Sequence, residues 1–275
     1  HRGALPDAVF TFKHALVRDA AYASLLKSKR RALHGAIADA IEARFPELVD
    51  AEPETLAHHL SEAGRDAAAA PLWLRAGRNA VARSANLEAI AHFERGVAAT
   101  HKRPADAERD RLELDHLFAL APCYIAARGP ASAEAVATVE AARAVCERLG
   151  DAPERGQVMF WIATASVIRG ELVRAELAVR ELLAVVEDVG GPALLNALRG
   201  WAMILLFRGR VDEARATADR FIALLDASPP ADQLGARAAG QDARAAGSAL
   251  LAWTRWLQGE TEAAFAESRT ALARG

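Results

Sequence analysis

Long apolar runs are missing from this chain. The longest lie near residues 161–168 and 201–207, well short of the roughly 18 residues a helix needs to cross a bilayer. No secretory signal pattern opens the sequence, so neither membrane association nor export is expected. An excess of one charge is missing too: the formal net charge is −2, too small to draw the chain to nucleic acid or an anionic membrane. Cysteine is scarce. Cys123 and Cys146 stand 6 residues before and 17 residues after Gly129, at different heights of the helix pair expected there. They are expected to stay unpaired, and two cysteines in 275 residues suit a reducing cytoplasm. Methionine occurs only as Met159 and Met203. Residue 1 is not methionine and a helical pattern still runs at Leu272, so a piece of a longer protein, cut at both ends, is expected.

Patterned chemistry is absent as well. Neither glycine-rich phosphate-cradling motif occurs, and no paired carboxylates stand apart from ordinary helix-surface acids. Ser24-Leu-Leu-Lys27 matches the Ser-x-x-Lys of acyl-transfer enzymes but has no partner motif downstream, and reads as helix surface. His58 and His59 are adjacent, about 100° apart on a helix, and so point away from a common metal. His14 and His34 have no ligand four residues on. The basic run Lys27, Lys29, Arg30 and Arg31 has no aromatic interleaving and reads as a solvated helix start, not a nucleic-acid contact. No catalytic residue, cofactor or metal is assigned.

What the chain does have is alanine and punctuation. Alanine is frequent and clusters of β-branched residues are few, which favours helix. At four expected turns a glycine is followed five residues later by an alanine inside an apolar-periodic stretch: Gly64/Ala69, Gly170/Ala175, Gly209/Ala214 and Gly259/Ala264. A glycine that ends one helix, polar residues that start the next, and a small residue that lets the two approach describe a helix–turn–helix repeat. Helices are expected over residues 14–26 and 29–45, with Pro46 closing the second. From residue 53 onward they are expected at 53–63, 66–82, 86–101, 106–127, 131–149, 154–169, 171–188, 192–208, 211–227, 241–258 and 261–274. Asp151 and Asp212 suit a cap or first turn. Residues 227–240, with two prolines, read as a loop. Residues 9–13 read as a short strand, with Phe10 and Phe12 on one face. The spacing from Gly170 to Gly209 is 39 residues and from Gly209 to Gly259 is 50. Such periods indicate a solenoid, in which neighbouring helix pairs bury each other's apolar faces.

With Gly77 as the small residue of a first helix, Trp73 falls at the large aromatic before it. Ala89, Phe93 and Gly96 then fall at the small, aromatic and small positions of the second helix. Residues 73–96 therefore resemble a tetratricopeptide repeat. The later pairs keep the Gly-x4-Ala turn but place Val179, Ala218 and Ser268 where Phe93 stands, as divergent relatives would. Because Gly64/Ala69 comes only 20 residues before Ser84, the helix pairing around residues 53–100 is left open. The resemblance implies an all-α fold, an α-solenoid of antiparallel helix pairs forming a right-handed superhelix. It also implies protein or peptide partners.

A wider resemblance is carried by the string from Phe10-Thr-Phe-Lys-His-Ala-Leu-Val-Arg-Asp and by Arg30-Arg-Ala-Leu-His-Gly-Ala-Ile. Leu56-Ala-His-His-Leu-Ser-Glu-Ala-Gly, Trp73-Leu-Arg-Ala-Gly, Cys146-Glu-Arg-Leu-Gly-Asp and Arg169-Gly-Glu-Leu continue it. These are similar to the region that follows the ATPase core in large bacterial signalling ATPases. The likeness is greatest to class III adenylate/guanylate cyclases fused to an AAA-type ATPase and a tetratricopeptide-like region. It implies that residues 1–50 are a junction after an ATPase or winged-helix-like module, and that residues 51–275 are the repeat array. It also implies a regulatory interaction role whose partners include the protein's own ATPase and cyclase domains. The same array in a transcriptional regulator with a helix-turn-helix output, or in a stand-alone scaffold, is the alternative. Trp161, Trp201, Trp253 and Trp256 fall on the first helices of successive pairs. They are either binding hot spots on a concave face or packing between repeats.

Overall fold

The structure is a computed structural model and describes residues 14–150, 154–235 and 242–273. The strand expected at residues 9–13 and the cap expected at Asp151 lie outside the described residues. Among those described there are helices and no strands. The chain divides into two compact units, residues 1–116 and 117–275.

The first unit contains α1 (Ala15–Ser24), α2 (Lys27–Arg44), α3 (Pro46–Ala51), α4 (Pro53–Glu62), α5 (Asp66–Ala82), α6 (Asn86–Thr100) and the start of α7 (Ala107–Arg128). Pro46 was expected only to close a helix; it also opens one. Proline at the first helical position loses no hydrogen bond, because that N–H has no partner in a helix anyway, and α3 starts on it. The core joins Ala38 and Ile41 of α2 to Leu56, Ala57 and Leu60 of α4, and to Ala69, Ala70, Trp73 and Ala76 of α5. Trp73 is buried, and its indole N–H donates to Ser61 Oγ at 3.0 Å. A side chain at Gly77 would collide with the ring of Phe93, which is fully buried on α6. A side chain at Gly96 would likewise collide with the imidazole of His116. Here α5 and α6 approach as closely as the aromatic ring allows.

The second unit contains the rest of α7, then α8 (Ala133–Leu149), α9 (Arg155–Ile168), α10 (Leu172–Val186), α11 (Gly191–Phe207) and α12 (Val211–Ala227). It ends with the short α13 (Pro230–Gly235), α14 (Ala243–Leu257) and α15 (Thr261–Leu272). The stretch expected to be wholly loop thus carries one short helix, again started by proline. The pairs α9/α10, α11/α12 and α14/α15 are hairpins, and α10 packs on α11 as α12 packs on α14. Ala202, Leu205 and Leu206 of α11, Ala214 and Ala218 of α12, and Leu250 and Leu251 of α14 form one buried cluster.

One turn geometry recurs through both units. Gly64, Gly170, Gly209 and Gly259 have φ of 76°, 75°, 74° and 83°, a conformation that costs a side-chain-bearing residue roughly 1–2 kcal/mol. In each, the N–H of the next residue reaches back five residues to a helix carbonyl: Arg65 to Leu60, Glu171 to Ser166, Arg210 to Leu205 and Glu260 to Arg255, at 2.8–2.9 Å. The glycine N–H bonds three residues back, completing the two-bond closure typical of helix ends. The same bonds form at a fifth turn, where Ser84 takes the glycine's place at φ 60° and Ala85 N–H reaches Ala80. This settles the pairing around residues 53–100: α4, α5 and α6 are joined by two copies of the turn. The alanine five residues after each turn sits in the helix contact. Ala69, Ala89, Ala175 and Ala214 are fully buried and Ala264 nearly so.

Salt bridges mark the same repetition. Arg174 pairs with Glu140, and Arg210 with Glu176 at 3.2 Å, each across 34 residues, the length of a tetratricopeptide unit. Glu176 also accepts from Arg180 at 2.7 Å and Arg208 at 3.2 Å. One carboxylate thereby ties α10 to the turn of the next hairpin.

Candidate functional site

The second unit encloses an open cleft of about 750 Å³. Its walls come chiefly from the first helices of the hairpins. Phe160, Trp161, Thr164 and Val167 of α9 face it, as do Asn196, Arg199, Gly200, Met203 and Phe207 of α11, and Ala246, Ala249, Leu250 and Trp253 of α14. On α11 and α14 these residues step by three and four, so each helix turns one stripe into the cleft. The lining is apolar except for Thr164, Asn196 and Arg199. Thr164 Oγ1 donates to the Phe160 carbonyl at 2.9 Å. Arg199 Nη2 donates to Asn196 Oδ1 at 3.3 Å. Burial pushes the Arg199 guanidinium below its ordinary pKa.

The four tryptophans do not share one environment. Trp161 and Trp253 line the cleft, and Trp161 also packs against Phe118 with ring centroids 5.1 Å apart. Trp201 is half-buried against the α11/α12/α14 cluster, with Arg180 and Arg210 over its ring at 5.5 and 6.0 Å. Trp256 is 64% exposed and does not face the cleft; Trp253 is 55% exposed. Leu257, Phe265 and Leu272 of the same hairpin are also exposed. Arg255 turns inward to Glu260 at 3.3 Å.

Phe93 has no aromatic counterpart at its own register in the later hairpins. Val179 and Ala218 are buried there, whereas Ser268 is half-buried. In α12 the aromatic moves on by three residues: Phe221 is fully buried and packs on Gly247 of α14, where a side chain would collide with it. An i+3 step keeps a residue on nearly the same face, so the bulk is displaced rather than lost.

The first unit gathers a histidine cluster that adjacency in sequence did not reveal. His34 of α2 is buried, and its Nδ1 lies 2.8 Å from Nδ1 of His59 on α4. Its Nε2 is 2.9 Å from the Tyr22 hydroxyl. The His58 ring stands 5.5 Å from His34 and 5.4 Å from His59. The facing Nδ1 atoms share one proton between them, and no group among the described residues has the arrangement to hold a metal ion. Burial, then the neighbouring imidazoles, holds His59 below its ordinary pKa. His58 is lowered by burial first, with Glu62 opposing and His34 and Arg95 adding to the effect. Elsewhere, Arg30 lies over the Tyr22 ring at 5.2 Å and Ser24 Oγ donates to the Ala21 carbonyl. Cys123 and Cys146 are buried and form no disulfide.

No family model matches the chain. An uncharacterised protein of Rhizobium meliloti (strain 1021) is 26% identical over 257 residues, which are 92% of this chain. The chain spans about a quarter of that relative's length. Among solved structures, a Podosopora anserina protein with nearly identical TPR-like repeats of kinesin light chain type superposes with a TM-score of 0.54. It is 19% identical, over 73% of this chain and 93% of that one. BtubC from P. vanneervenii gives 0.57 at 14% identity over 91% of each chain. The apo form of RapI gives 0.53 at 10% identity, over 89% of this chain and 97% of that one. The fold is that of tetratricopeptide-like helical repeats.

Proposed function

We propose that this chain is a non-catalytic regulatory and protein-interaction region of a larger bacterial signalling ATPase, an adenylate or guanylate cyclase fused to an AAA-type ATPase. Residues 1–50 would be the junction to the ATPase module and residues 51–275 the interacting array. The partner is a protein or peptide, including the ATPase and cyclase domains of the same polypeptide, in the cytoplasm. The resemblance of the junction strings supports this context, and a relative some four times longer is compatible with it. The carrying observation is the last hairpin. It leaves Trp253, Trp256 and Phe265 more than half exposed, whereas the residues at the register of the two tryptophans, Thr164 and Val167 on α9 and Met203 and Leu206 on α11, are buried or half-buried. Exposed tryptophan beside other apolar side chains is the composition of a binding hot spot.

Co-purification of this chain with the separately expressed remainder of its parent polypeptide tests the reading. Capture that Trp256→Ala weakens at unchanged helicity supports it. Saturable nucleotide turnover by the chain alone would sink it, as would a parent gene encoding neither an ATPase nor a cyclase.

A further inference from the structure

Two features of α11 have no role in holding the fold together. The first is Arg199. It stands half-buried in the cleft, and among the described residues its one hydrogen-bond partner is the neutral Asn196. No carboxylate among the described residues pairs with it, and no other charged side chain lines the cleft. Among the described residues, most other arginines of the second unit are tied to an acid, as Arg174 is to Glu140, Arg210 to Glu176 and Arg215 to Glu260. A guanidinium stays charged at any ordinary pH, and a charge moved from water into an apolar site destabilises unless an opposite charge meets it. The second feature is Gly200. It lies inside a helix, where glycine weakens the element relative to alanine. Its backbone is not in the left-handed region, and a side chain there would meet no atom within 4 Å. Gly77 and Gly247 are needed for close helix contacts; Gly200 is not. Its missing side chain keeps space open next to the unpaired guanidinium.

From this juxtaposition we infer that the cleft is a binding site for a small monocarboxylate with an apolar body. The carboxylate accepts from Arg199 and from the Asn196 amide, whose oxygen already takes an Arg199 N–H. A guanidinium fork matches a carboxylate in geometry, and one cation neutralises one charge. The apolar body lies over Gly200 between Trp161, Phe207 and Trp253. A volume of about 750 Å³ falls within the range of small-molecule clefts, which are mostly apolar with a few convergent polar groups. An extended peptide fits less well. Thr164 is already engaged, so only Arg199 and Asn196 remain to satisfy a peptide backbone, and unpaired backbone groups in an apolar site are costly. The inference goes beyond the interaction reading above and stands or falls separately, because its probe is a small molecule and its variants lie away from Trp256.

Titration calorimetry of the full chain with dodecanoate below its micelle concentration is the test. Methyl dodecanoate and dodecyltrimethylammonium serve as controls. The expected result is saturable binding of one dodecanoate per chain, with both controls weaker by at least about tenfold, the worth of one charge-assisted pair. Arg199→Met should weaken dodecanoate by a similar factor. Gly200→Phe should abolish binding while the circular dichroism spectrum is retained. If Gly200→Phe does not fold, Ala249→Phe blocks the opposite wall and is read in its place. No saturable binding by the natural chain overturns the proposal. So does equal binding of ester and acid, equal binding by Arg199→Met, or undiminished binding after the cleft is filled.

Discussion

Gly77 in the first unit and Gly200 in the second both lie inside the first helix of a hairpin, and they do opposite things. At Gly77 the missing side chain is filled by the ring of Phe93 from the paired helix; at Gly200 it is filled by nothing. In the first unit, aromatic side chains reach into the helix contacts and close them: Trp73 between α4 and α5, Phe93 between α5 and α6. In the second, Val179 and Ala218 occupy the register of Phe93, the bulk of Phe221 moves to α14, and the first helices leave a cleft. The same turn, repeated five times, therefore supports two kinds of packing. The lesson is that the turn sets the repeat and the side chains at one register decide whether a surface closes or stays open.

The sharpest way to break the comparison is at its closed end. Phe93→Ala removes a fully buried ring and should cost about 3–5 kcal/mol, seen as a large fall in denaturant midpoint. A loss below about 1 kcal/mol would mean that α5 and α6 do not depend on the ring. Next in size are the turns. Gly209→Ala forces a side chain into φ 74° and should destabilise by roughly 1–2 kcal/mol, whereas Ser84→Gly relieves the same strain at φ 60° and should stabilise. Opposite signs in thermal melts would confirm that all five turns are one device.

A third difference is electrostatic. His58, His59 and His116, all in the first unit, are held below the ordinary imidazole pKa, chiefly by burial. The folded state thus binds fewer protons than the unfolded state. Stability present at neutral pH should be lost as the pH falls through and below about 6.5, the unfolded value. Denaturant midpoints measured from pH 7.5 to pH 5 should fall, and His59→Gln should flatten the slope. A midpoint that rises on acidification would reverse the assignment. The smallest effect is expected at the exposed end: Trp256→Ala should change stability by no more than about 0.5 kcal/mol.

Most of the fold was legible because glycine and proline punctuate it. The Gly-x4-Ala pairs located the turns, and the expected helices lie within a few residues of those observed. Ser84 escaped because serine rarely adopts positive φ, so nothing in its identity announces a fifth turn. The start of α3 escaped because proline opens a helix as readily as it closes one. The histidine cluster was invisible for a different reason: His34 and His59 are 25 residues apart and meet only when α2 packs on α4. The cleft depends on absences, an acid that does not pair with Arg199 and an atom that does not touch Gly200. Absences between helices are not written at any single position. The tryptophans were correctly placed on first helices, but facing differs residue by residue. Trp161 and Trp253 turn into the cleft, Trp201 turns toward α10 and α12, and Trp256 turns outward.

Central to the account is that the second unit keeps its cleft open at the expense of packing. The melting temperature of Gly200→Leu tests this most directly. Leucine is favoured over glycine inside a helix by up to about 1 kcal/mol and would cover apolar surface in the cleft. The account predicts a melting temperature equal to or above that of the natural chain, with helicity unchanged. A fall of the size expected when a side chain is forced into a closed contact, as at Gly77, would show that Gly200 is packed and that the cleft is not open.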